Sequence, residues 1–215
     1  MGIDVYNGDG PVEWERVKVD HGFGICKATY GIAGQDARLH NNLAGMGAAG
    51  MVRGVYHWLT ADDAVGQANS FLRHLKDCAY AGYTAQSPRF TWERDLPPAV
   101  DIEDEGLLGL SDADLVGHIS RFLEVVEEAT GRKCLIYVNR DIGNRLGDNF
   151  AGHPLWLAEY SDLDAPVLPS GWSTWRIWQY SEHGTVDGVP NEGSTDLNRY
   201  NGSEDDLLAW IASGK

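Results

Sequence analysis

The chain has 215 residues, of which 43% are hydrophobic, and this is enough for one large buried core. Its 32 acidic and 17 basic side chains give a net charge of −15, which argues against nucleic acid and anionic membranes as partners. No apolar run approaches transmembrane length, and the first residues lack the basic and apolar segments of a signal peptide. We therefore expect a single α/β domain, 1–215, made in a cytoplasm without a signal peptide.

Strands and helices alternate along most of the chain. Strands are predicted at 3–6, 24–30, 52–59, 98–103, 134–138, 154–160 and 174–180, with short extended pieces at 186–189 and 195–198. Helices are predicted at 12–19, 36–50, from Thr60 to about Tyr80, at 112–130 and 140–147, and from Ser203 to Ile211. Thr60, Ser111 and Ser203 have the side chains of N-caps, and Gly131 is placed to end a helix. The segments 82–97 and 162–171 are predicted to be loops.

This order of elements favours a TIM-like barrel. Strand and helix alternate for five units, and the strands that follow have little helix between them, so we expect eight strands whose last helices are missing. The alternative is an open doubly wound sheet, which is disfavoured because no glycine-rich phosphate loop follows the first strand.

Four acids within five residues follow an apolar strand at 98–105. Alternation along a strand puts Asp101 and Glu103 on the same face, with Cα atoms about 6.5–7 Å apart. Two close carboxylates push their pKa values apart, and this suits a glycosidase, in which one acid protonates the leaving oxygen and one carboxylate supports the cationic centre. Taken alone, such a cluster is more often a solvated loop, a cation site or a salt-bridge network.

The barrel hypothesis adds other residues to this pair. Active sites of such barrels lie at the C-terminal ends of the strands. Predicted strand ends carry polar or aromatic side chains that would ring one mouth: Asp4, Tyr56, Asp101, Glu103, Tyr137, Asn139, Trp178, Tyr180 and Asp196. Each has an ordinary alternative role, since Asp4 and Asp196 could be caps or turn residues and Tyr56 and Trp178 could be core.

A series of short motifs resembles the glycoside hydrolase family 25 lysozymes over nearly the whole chain. The motifs, in order, are GIDVY at 2–6, KATYG at 27–31, GVYHW at 54–58, PAVDIED at 98–104, LIYVN at 135–139, LWLAEY at 155–160, WQYS at 178–181 and DLNRY at 196–200. The resemblance implies a (β/α)5(β)3 barrel and an N-acetylmuramidase, which cleaves the β-1,4 bond between N-acetylmuramic acid and N-acetylglucosamine in peptidoglycan. It implies no metal and no cofactor.

The resemblance also implies roles for individual residues. Glu103 would be the general acid, and Asp101 would stabilise the charged centre directly or orient the 2-acetamido group of the substrate. Asp4 and Asp196 would hold the pKa values of that pair and bind sugar hydroxyls. The residues expected to bind sugar are Tyr56, Tyr137, Tyr160, Trp178 and Gln179. The strand spacing leaves retaining, inverting and substrate-assisted routes open.

The chain departs from the family pattern at Tyr30, where the family often has an acid. We expect activity to survive this change, with altered substrate contacts near the second strand. The loop at 82–97 and the acidic run at 103–105 are further particular features. Because family members without a signal peptide are often phage endolysins, we expect a monomeric antimicrobial lysozyme domain, without a wall-binding module, that reaches the bacterial wall after release from the host cytoplasm.

Two other classes of function compete with this interpretation. A non-catalytic glycan-binding barrel would not need the complete set of four acids. A zinc amidase or cysteine peptidase would need clustered ligands or an exposed thiol. The seven histidines are scattered, His57 is expected to be a core or supporting residue, and Cys26 and Cys134 lie in apolar runs where thiols are buried. The three cysteines, with Cys78, give no metal-ligand spacing and no disulfide framework.

Overall fold

Eight strands close into a barrel, as the order of predicted elements indicates. The structure is a computed structural model that describes residues 1–78, 89–103, 107, 109–191 and 193–214. The strands are β1 Gly2–Val5, β2 Phe23–Tyr30, β3 Gly34–Gln35, β4 Val52–Trp58, β5 Ala99–Asp101, β6 Leu135–Asn139, β7 Leu155–Ala158, β8 Ile177–Gly184 and β9 Thr195–Tyr200. The helices are α1 Trp14–Val17, α2 Leu39–Ala48, α3 Ala64–Cys78, α4 Asp112–Thr130, α5 Arg140–Leu146 and α6 Glu204–Ser213.

Strand pairing shows how the barrel closes. Neighbouring strands from β1 through β2 and β4 to β8 pair in parallel, and β9 runs antiparallel between β8 and β1. The two-residue β3 only extends the edge of β2 as a hairpin. A helix follows each of β1, β2, β4, β5 and β6, and the described residues between β7 and β9 contain none. The predicted (β/α)5(β)3 barrel is therefore confirmed.

The hydrophobic residues form two layers on either side of the barrel wall. One cluster fills the space between the strands and the surrounding helices, and it includes Cys26, Phe122 and Cys134. The ring of His57 stacks on Phe122 in this layer. The other lies inside the barrel, where Ile25, Leu135 and Ile177 meet the last helix through Trp210. All three cysteines are buried and unpaired, as expected for Cys26 and Cys134.

Several predicted element bounds were wrong. Helix α1 covers only 14–17, because the turns after it tighten: Val19 and Asp20 donate to carbonyls three residues back. Helix α2 starts at Leu39, since the buried carboxylate of Asp36 accepts the amides of Asn7 and Arg38 and holds this segment as a loop.

The N-cap predictions have mixed outcomes. Thr60 does not cap α3, which begins at Ala64, and the carboxylate of Asp63 accepts the amide of Gly66 at 2.7 Å. Ser111 and Ser203 cap α4 and α6 as predicted. Gly131 ends α4 in the left-handed region with φ of 67°.

The last strands also differ from the prediction. Strand β8 begins at Ile177 and continues to Gly184, β7 covers only 155–158, and the predicted extended piece at 186–189 is a turn. Of the predicted loop at 82–97, residues 82–88 lie outside the described part, and 89–97 contains turns and no helix or strand. No helix in the described part of the chain combines the length and apolarity that crossing a membrane requires.

A buried ion pair fixes the segment that leads into β5. Arg53 donates from Nε to Oδ1 of Asp95 at 2.8 Å and from Nη2 to Oδ2 at 2.7 Å, and both side chains are only 3% exposed. Asp95 also accepts the amide of Thr91, and the Leu96 amide donates to the Arg53 carbonyl. The ion pair therefore fastens the approach to β5 against β4.

Replacing Asp95 with alanine should destabilise the protein by about 3–5 kcal/mol, because the buried Arg53 guanidinium would lose its opposite charge. Urea denaturation followed by tryptophan fluorescence measures this loss. The control is Asp112→Ala, whose partner Arg145 lies at 2.8 Å in a pair with side chains 64% and 34% exposed. That loss should be about 1 kcal/mol or less, and equal losses in the two variants would contradict the assignment.

Candidate active site

A cavity of about 230 Å³ opens at the C-terminal ends of the parallel strands. Asp4, Asp101 and Tyr137 come from the last part of β1, β5 and β6. The lining residues are Asp4, Tyr6, Lys27, Tyr56, Trp58, Asp101, Glu103, Tyr137, Trp156, Gln179 and Asp196. The four acids predicted from the sequence therefore meet in one cavity.

Asp4 and Asp196 form an acid pair across two strands. They are direct partners in the antiparallel register of β1 and β9. Asp196 was expected at the end of its strand, whereas it is the second residue of β9, and the reversed direction of β9 is what brings it to the mouth. Asp4 Oδ2 accepts hydrogen bonds from Gln179 Nε2 at 2.9 Å and Asn198 Nδ2 at 2.7 Å.

Burial dominates the titration of this acid pair. It raises the pKa of Asp4 to about 6, against the lowering effect of hydrogen bonds from Gln179 and Asn198. Burial, and then the negative charge of Asp4, raises the pKa of Asp196 to about 9. Because the negative charge of one carboxylate disfavours ionisation of the other, the raised pKa values indicate that the pair keeps one proton at neutral pH.

Asp101 and Glu103 lie on the same side of their segment, as the strand pattern predicts. Asp101 ends β5 and is 5% exposed, while Glu103 is half-buried, and both line the cavity. Burial and the charge of Glu103 raise the pKa of Asp101, and the charge of Lys27 lowers it. Asp101 Oδ1 is buried without a hydrogen-bond partner among the residues that the structure describes. A ligand donor that reached this oxygen would satisfy it.

Lys27 is a site residue that the sequence analysis missed. Its Nζ lies 3.9 Å from the centre of the Trp58 ring, 5.4 Å from that of Tyr6 and 5.6 Å from that of Tyr56. It is the only cation among the described residues that line the cavity. Burial lowers its pKa, and the charge of Asp101 is the largest opposing influence. A lysine inside the apolar run Ile25–Ala28 was the signal that could have identified it.

A bulge in β2 puts Lys27 on the cavity side of the barrel wall and Thr29, with its partner His57, on the side of the helices. The pairing with β4 shifts between Lys27 and Thr29, so Ala28 and Thr29 both face the helices. Thr29 Oγ1 lies 2.7 Å from Nδ1 of His57, whose Nε2 lies 3.1 Å from Gln67 Oε1. Burial lowers the pKa of His57 to about 4, so this ring is a neutral core residue, as expected. In the described part of the chain no three His, Cys, Asp or Glu side chains converge as a metal site would require.

The residues predicted to bind sugar divide into two groups. Tyr56, Tyr137 and Gln179 line the cavity, and the hydroxyls of Tyr137 and Tyr160 donate to Gln179 Oε1 at 3.0 and 2.7 Å. Tyr160 itself is half-exposed outside the cavity.

Trp178 does not line the cavity. Because side chains alternate along β8, Gln179 points into the barrel and Trp178 points out of it. The indole of Trp178 donates to the Glu159 carbonyl at 2.6 Å, and its ring packs against Trp175 and Tyr180.

Trp156 is a second residue that the sequence analysis missed. It is 1% exposed and its ring lies edge-on to Tyr137 and Tyr56, with centres 4.7 and 6.0 Å apart. Its Nε1 donates to Asn198 Oδ1 at 2.8 Å, and Asn198 in turn donates to Asp4. Trp156 therefore fixes the amide that holds Asp4 in place. As the second residue of β7, it lay too far from a strand end for the strand-end rule to select it.

The arrangement combines acids in different protonation states with aromatic walls. One carboxyl pair has raised pKa values, and the second pair contains a buried carboxyl group with one oxygen that has no hydrogen-bond partner among the described residues. Such a set can donate a proton to a leaving oxygen while it stabilises positive charge nearby. This is the chemistry of glycosidic bond cleavage.

Comparison with known proteins agrees with this chemistry. Residues 3–189 match the family model of glycosyl hydrolases family 25. The chain is 34% identical to lysozyme M1 of Streptomyces globisporus over 97% of its own length and 70% of that protein. It is 29% identical to the N,O-diacetylmuramidase of Chalaropsis sp., covering 81% of this chain and 84% of that one. The crystal structure of a bacterial lysozyme from Streptomyces coelicolor superimposes with a TM-score of 0.84 at 32% identity, over 100% of this chain and 97% of that chain.

Asp196→Asn should stabilise the protein, and by more at pH 9 than at pH 4. The folded pair keeps its protons to about pH 6 and about pH 9, whereas free aspartate loses its proton near 3.8. The folded state therefore binds more protons between these values, and the free energy of unfolding of the wild type falls as the pH rises through them.

Denaturation of wild type and variant at both pH values measures the difference. Asp20→Asn removes an exposed carboxylate and controls for the change in net charge. A stabilisation by Asp196→Asn that does not depend on pH would contradict the shared proton.

Proposed function

Since the chain belongs to glycosyl hydrolases family 25 and is a peptidoglycan hydrolase, we propose that its cavity cleaves the β-1,4 bond between N-acetylmuramic acid and N-acetylglucosamine, with Glu103 as general acid. The observation that carries this proposal is the unpartnered oxygen of Asp101, buried beside Glu103 in a cavity of acids and aromatic rings. Folded proteins seldom leave a buried carboxylate oxygen without a hydrogen-bond partner unless the oxygen has a role in binding or catalysis.

Glu103 is suited to proton transfer by its position. It lies two residues beyond the end of β5 and is less buried than Asp101, so it can reach the leaving oxygen of a bound chain. Its negative charge raises the pKa of its neighbour Asp101, so the two carboxyl groups interact electrostatically. A carboxyl group within reach of the leaving oxygen is what general acid catalysis needs.

Asp101 is suited to hold the 2-acetamido group. Its free Oδ1 can accept the N–H of that group, which orients the acetamido oxygen toward the anomeric carbon as an internal nucleophile. The negative charge would also stabilise the positive charge that develops at this centre. Lys27, held over Trp58, favours the ionised form of Asp101 and so supports either role.

Asp4 and Asp196 complete the acid set from the other side of the cavity. They share a proton, so they can both donate to and accept from sugar hydroxyls. Asn198 and Gln179 keep Asp4 in place, and Gln179 also receives the hydroxyl of Tyr137 on the cavity wall. The aromatic rings of Tyr56 and Tyr137 provide apolar contact for sugar faces.

We place this activity on the bacterial wall. Residues 1–215 would act as one monomeric catalytic domain of the endolysin type, made in a host cytoplasm and acting after release, with no cofactor. A glycan-binding barrel without turnover is the alternative function, but binding alone does not need a complete set of four acids or a protonated acid.

Glu103→Gln should abolish nearly all lytic activity and leave the fold unchanged, because the amide has the same shape as the carboxylic acid but no acidic proton to transfer to the leaving oxygen. Turbidity loss of wall suspensions measures activity, and circular dichroism checks the fold. Glu124→Gln, on the exposed face of α4, is the matched control and should keep wild-type activity. Wild-type turnover in Glu103→Gln would end the assignment of the general acid.

Asp101→Asn should lower the rate by about 10²-fold or more, the loss typical of a group that stabilises charge in the transition state. The amide oxygen can still accept the acetamido N–H, so binding should change less than turnover. Separate kcat and KM values on soluble glycan chains test this. A rise in KM alone would show that Asp101 only binds the substrate.

The products of peptidoglycan digestion identify the bond that is cut. Borohydride reduction followed by mass spectrometry should find new reducing ends on muramic acid. Reducing ends on glucosamine would make the enzyme a glucosaminidase, and freed stem peptides without new reducing ends would show an amidase or peptidase. No products from several wall types would favour the glycan-binding barrel.

A further inference from the structure

A groove of about 660 Å³ lies on a part of the barrel that no helix of the described residues covers. It runs between the segment 160–164 and strands β8 and β9. The outward-facing side chains of the strands form its floor, among them Trp178, Tyr180 and Arg199. This surface is free because the described residues between β7 and β9 contain no helix.

Arg199 is the feature that indicates a ligand for this groove. Its guanidinium carbon lies 4.3 Å from the centre of the Tyr180 ring and 5.3 Å from that of Trp178. Among the described residues no carboxylate lies within ion-pair distance of it, although the chain has 32 acids and 17 bases. The aromatic rings therefore orient the guanidinium without neutralising its charge, which leaves it able to bind a carboxylate.

The groove adjoins the catalytic cavity through one hydrogen-bonded connection. Tyr160 lines the groove, and its hydroxyl donates to Gln179 Oε1 at 2.7 Å. Gln179 lines the cavity and donates to Asp4 at 2.9 Å. Tyr160 therefore connects the lining of the groove with the lining of the cavity, so the groove lies beside the place where a sugar would bind.

The remaining charges of the groove have the opposite sign. Asp162, Asp164 and Glu182 lie along its walls, and His183 is 3.7 Å from Glu182. Three acids would repel a polyanion such as a nucleic acid or a phosphate polymer. They would attract an ammonium group, so the groove complements a ligand that carries both a carboxylate and an amine.

A further sugar unit fits the groove less well. Sugar rings stack on open aromatic faces, but Trp178 is 1% exposed and the guanidinium of Arg199 covers the Tyr180 ring. Besides hydroxyls, the accessible polar groups include the carboxylates of Asp162, Asp164 and Glu182, which suits a peptide with ionised ends better than a neutral glycan.

We propose that this groove binds the peptide stem that is attached to muramic acid in peptidoglycan. A stem carboxylate pairs with Arg199, and the amine of the diamino acid in the stem lies near Asp162, Asp164 and Glu182. The assignment rests on the proposed function, because it requires a muramic acid in the adjoining cavity. It makes Arg199 a determinant of preference for peptide-bearing chains.

The test compares two matched polymers: glycan chains with their stems, and the same chains after an amidase has removed the stems. Arg199→Gln should raise KM about tenfold for chains with stems, the loss expected when one charge-assisted hydrogen bond disappears. Its kcat/KM for chains without stems should equal that of the wild type. Equal losses on both polymers, or a wild type without preference for stems, would overturn the proposal.

Arg176→Gln is the matched control. Arg176 also stacks on an aromatic ring, 5.4 Å from the centre of Trp210, but it precedes β8 and does not line the groove. This variant should behave as the wild type on both polymers. A change in stem preference in Arg176→Gln as large as that in Arg199→Gln would contradict a local site.

Titration with the free stem peptide separates the groove from the catalytic proposal. Indole resonances of Trp178 and the side-chain resonance of Arg199 should shift in NMR spectra of the wild type, and acetylation of the diamino acid should weaken binding. A wild type that cleaves neither polymer but shows these shifts would overturn the muramidase assignment and retain the groove. Cleavage of both polymers without any shift would overturn the groove and retain the muramidase assignment.

Discussion

The structure depends on keeping four carboxylates in one small cavity with a single ammonium group among the described lining residues. Ionised acids are costly at the mouth of an apolar barrel, so the cavity lowers the cost in different ways for each pair. Asp4 and Asp196 share a proton. Asp101 has Lys27 nearby, and this lysine is held by the rings of Trp58, Tyr6 and Tyr56. The aromatic walls therefore position the charge that the acids need, besides offering surface to a sugar.

The direction of one strand determines which acids meet. If β9 ran parallel to β1, its second residue would lie near the base of the barrel and Asp196 would be remote from Asp4. The antiparallel course puts the start of β9 at the mouth, in register with Asp4. The same reversal pairs Trp178 of β8 with Arg199 of β9 on the outer surface. The last two strands thus contribute both to the acid set and to the groove beside it.

The sequence was sufficient for the barrel and for most of the acid cluster, because apolar runs ending in acids mark the C-terminal ends of buried strands. It was insufficient where the outcome depends on register or direction. Trp178 was placed in the sugar groove because a strand pattern does not say which alternate face is the inner one. Lys27 was missed although its place in an apolar run was a signal, because the sequence does not show which three rings surround it. Thr60 was predicted as the N-cap of α3, but Asp63, three residues later, is an equally good N-cap residue, and the sequence pattern does not decide between them.

The arginine and lysine side chains near the barrel fall into two groups, those in ion pairs and those in contact with aromatic rings. Arg53 is paired on both branches with Asp95, and this buried pair serves the fold by fastening the loop before β5. Lys27 and Arg199 are held by aromatic rings, which restrict a cation without cancelling its field. In a protein with a net charge of −15, an uncancelled cation is the feature that can attract a carboxylate. Inside the cavity the charge of Lys27 acts on Asp101 and lowers its pKa. On the outer face of β9, the charge of Arg199 is available for a ligand.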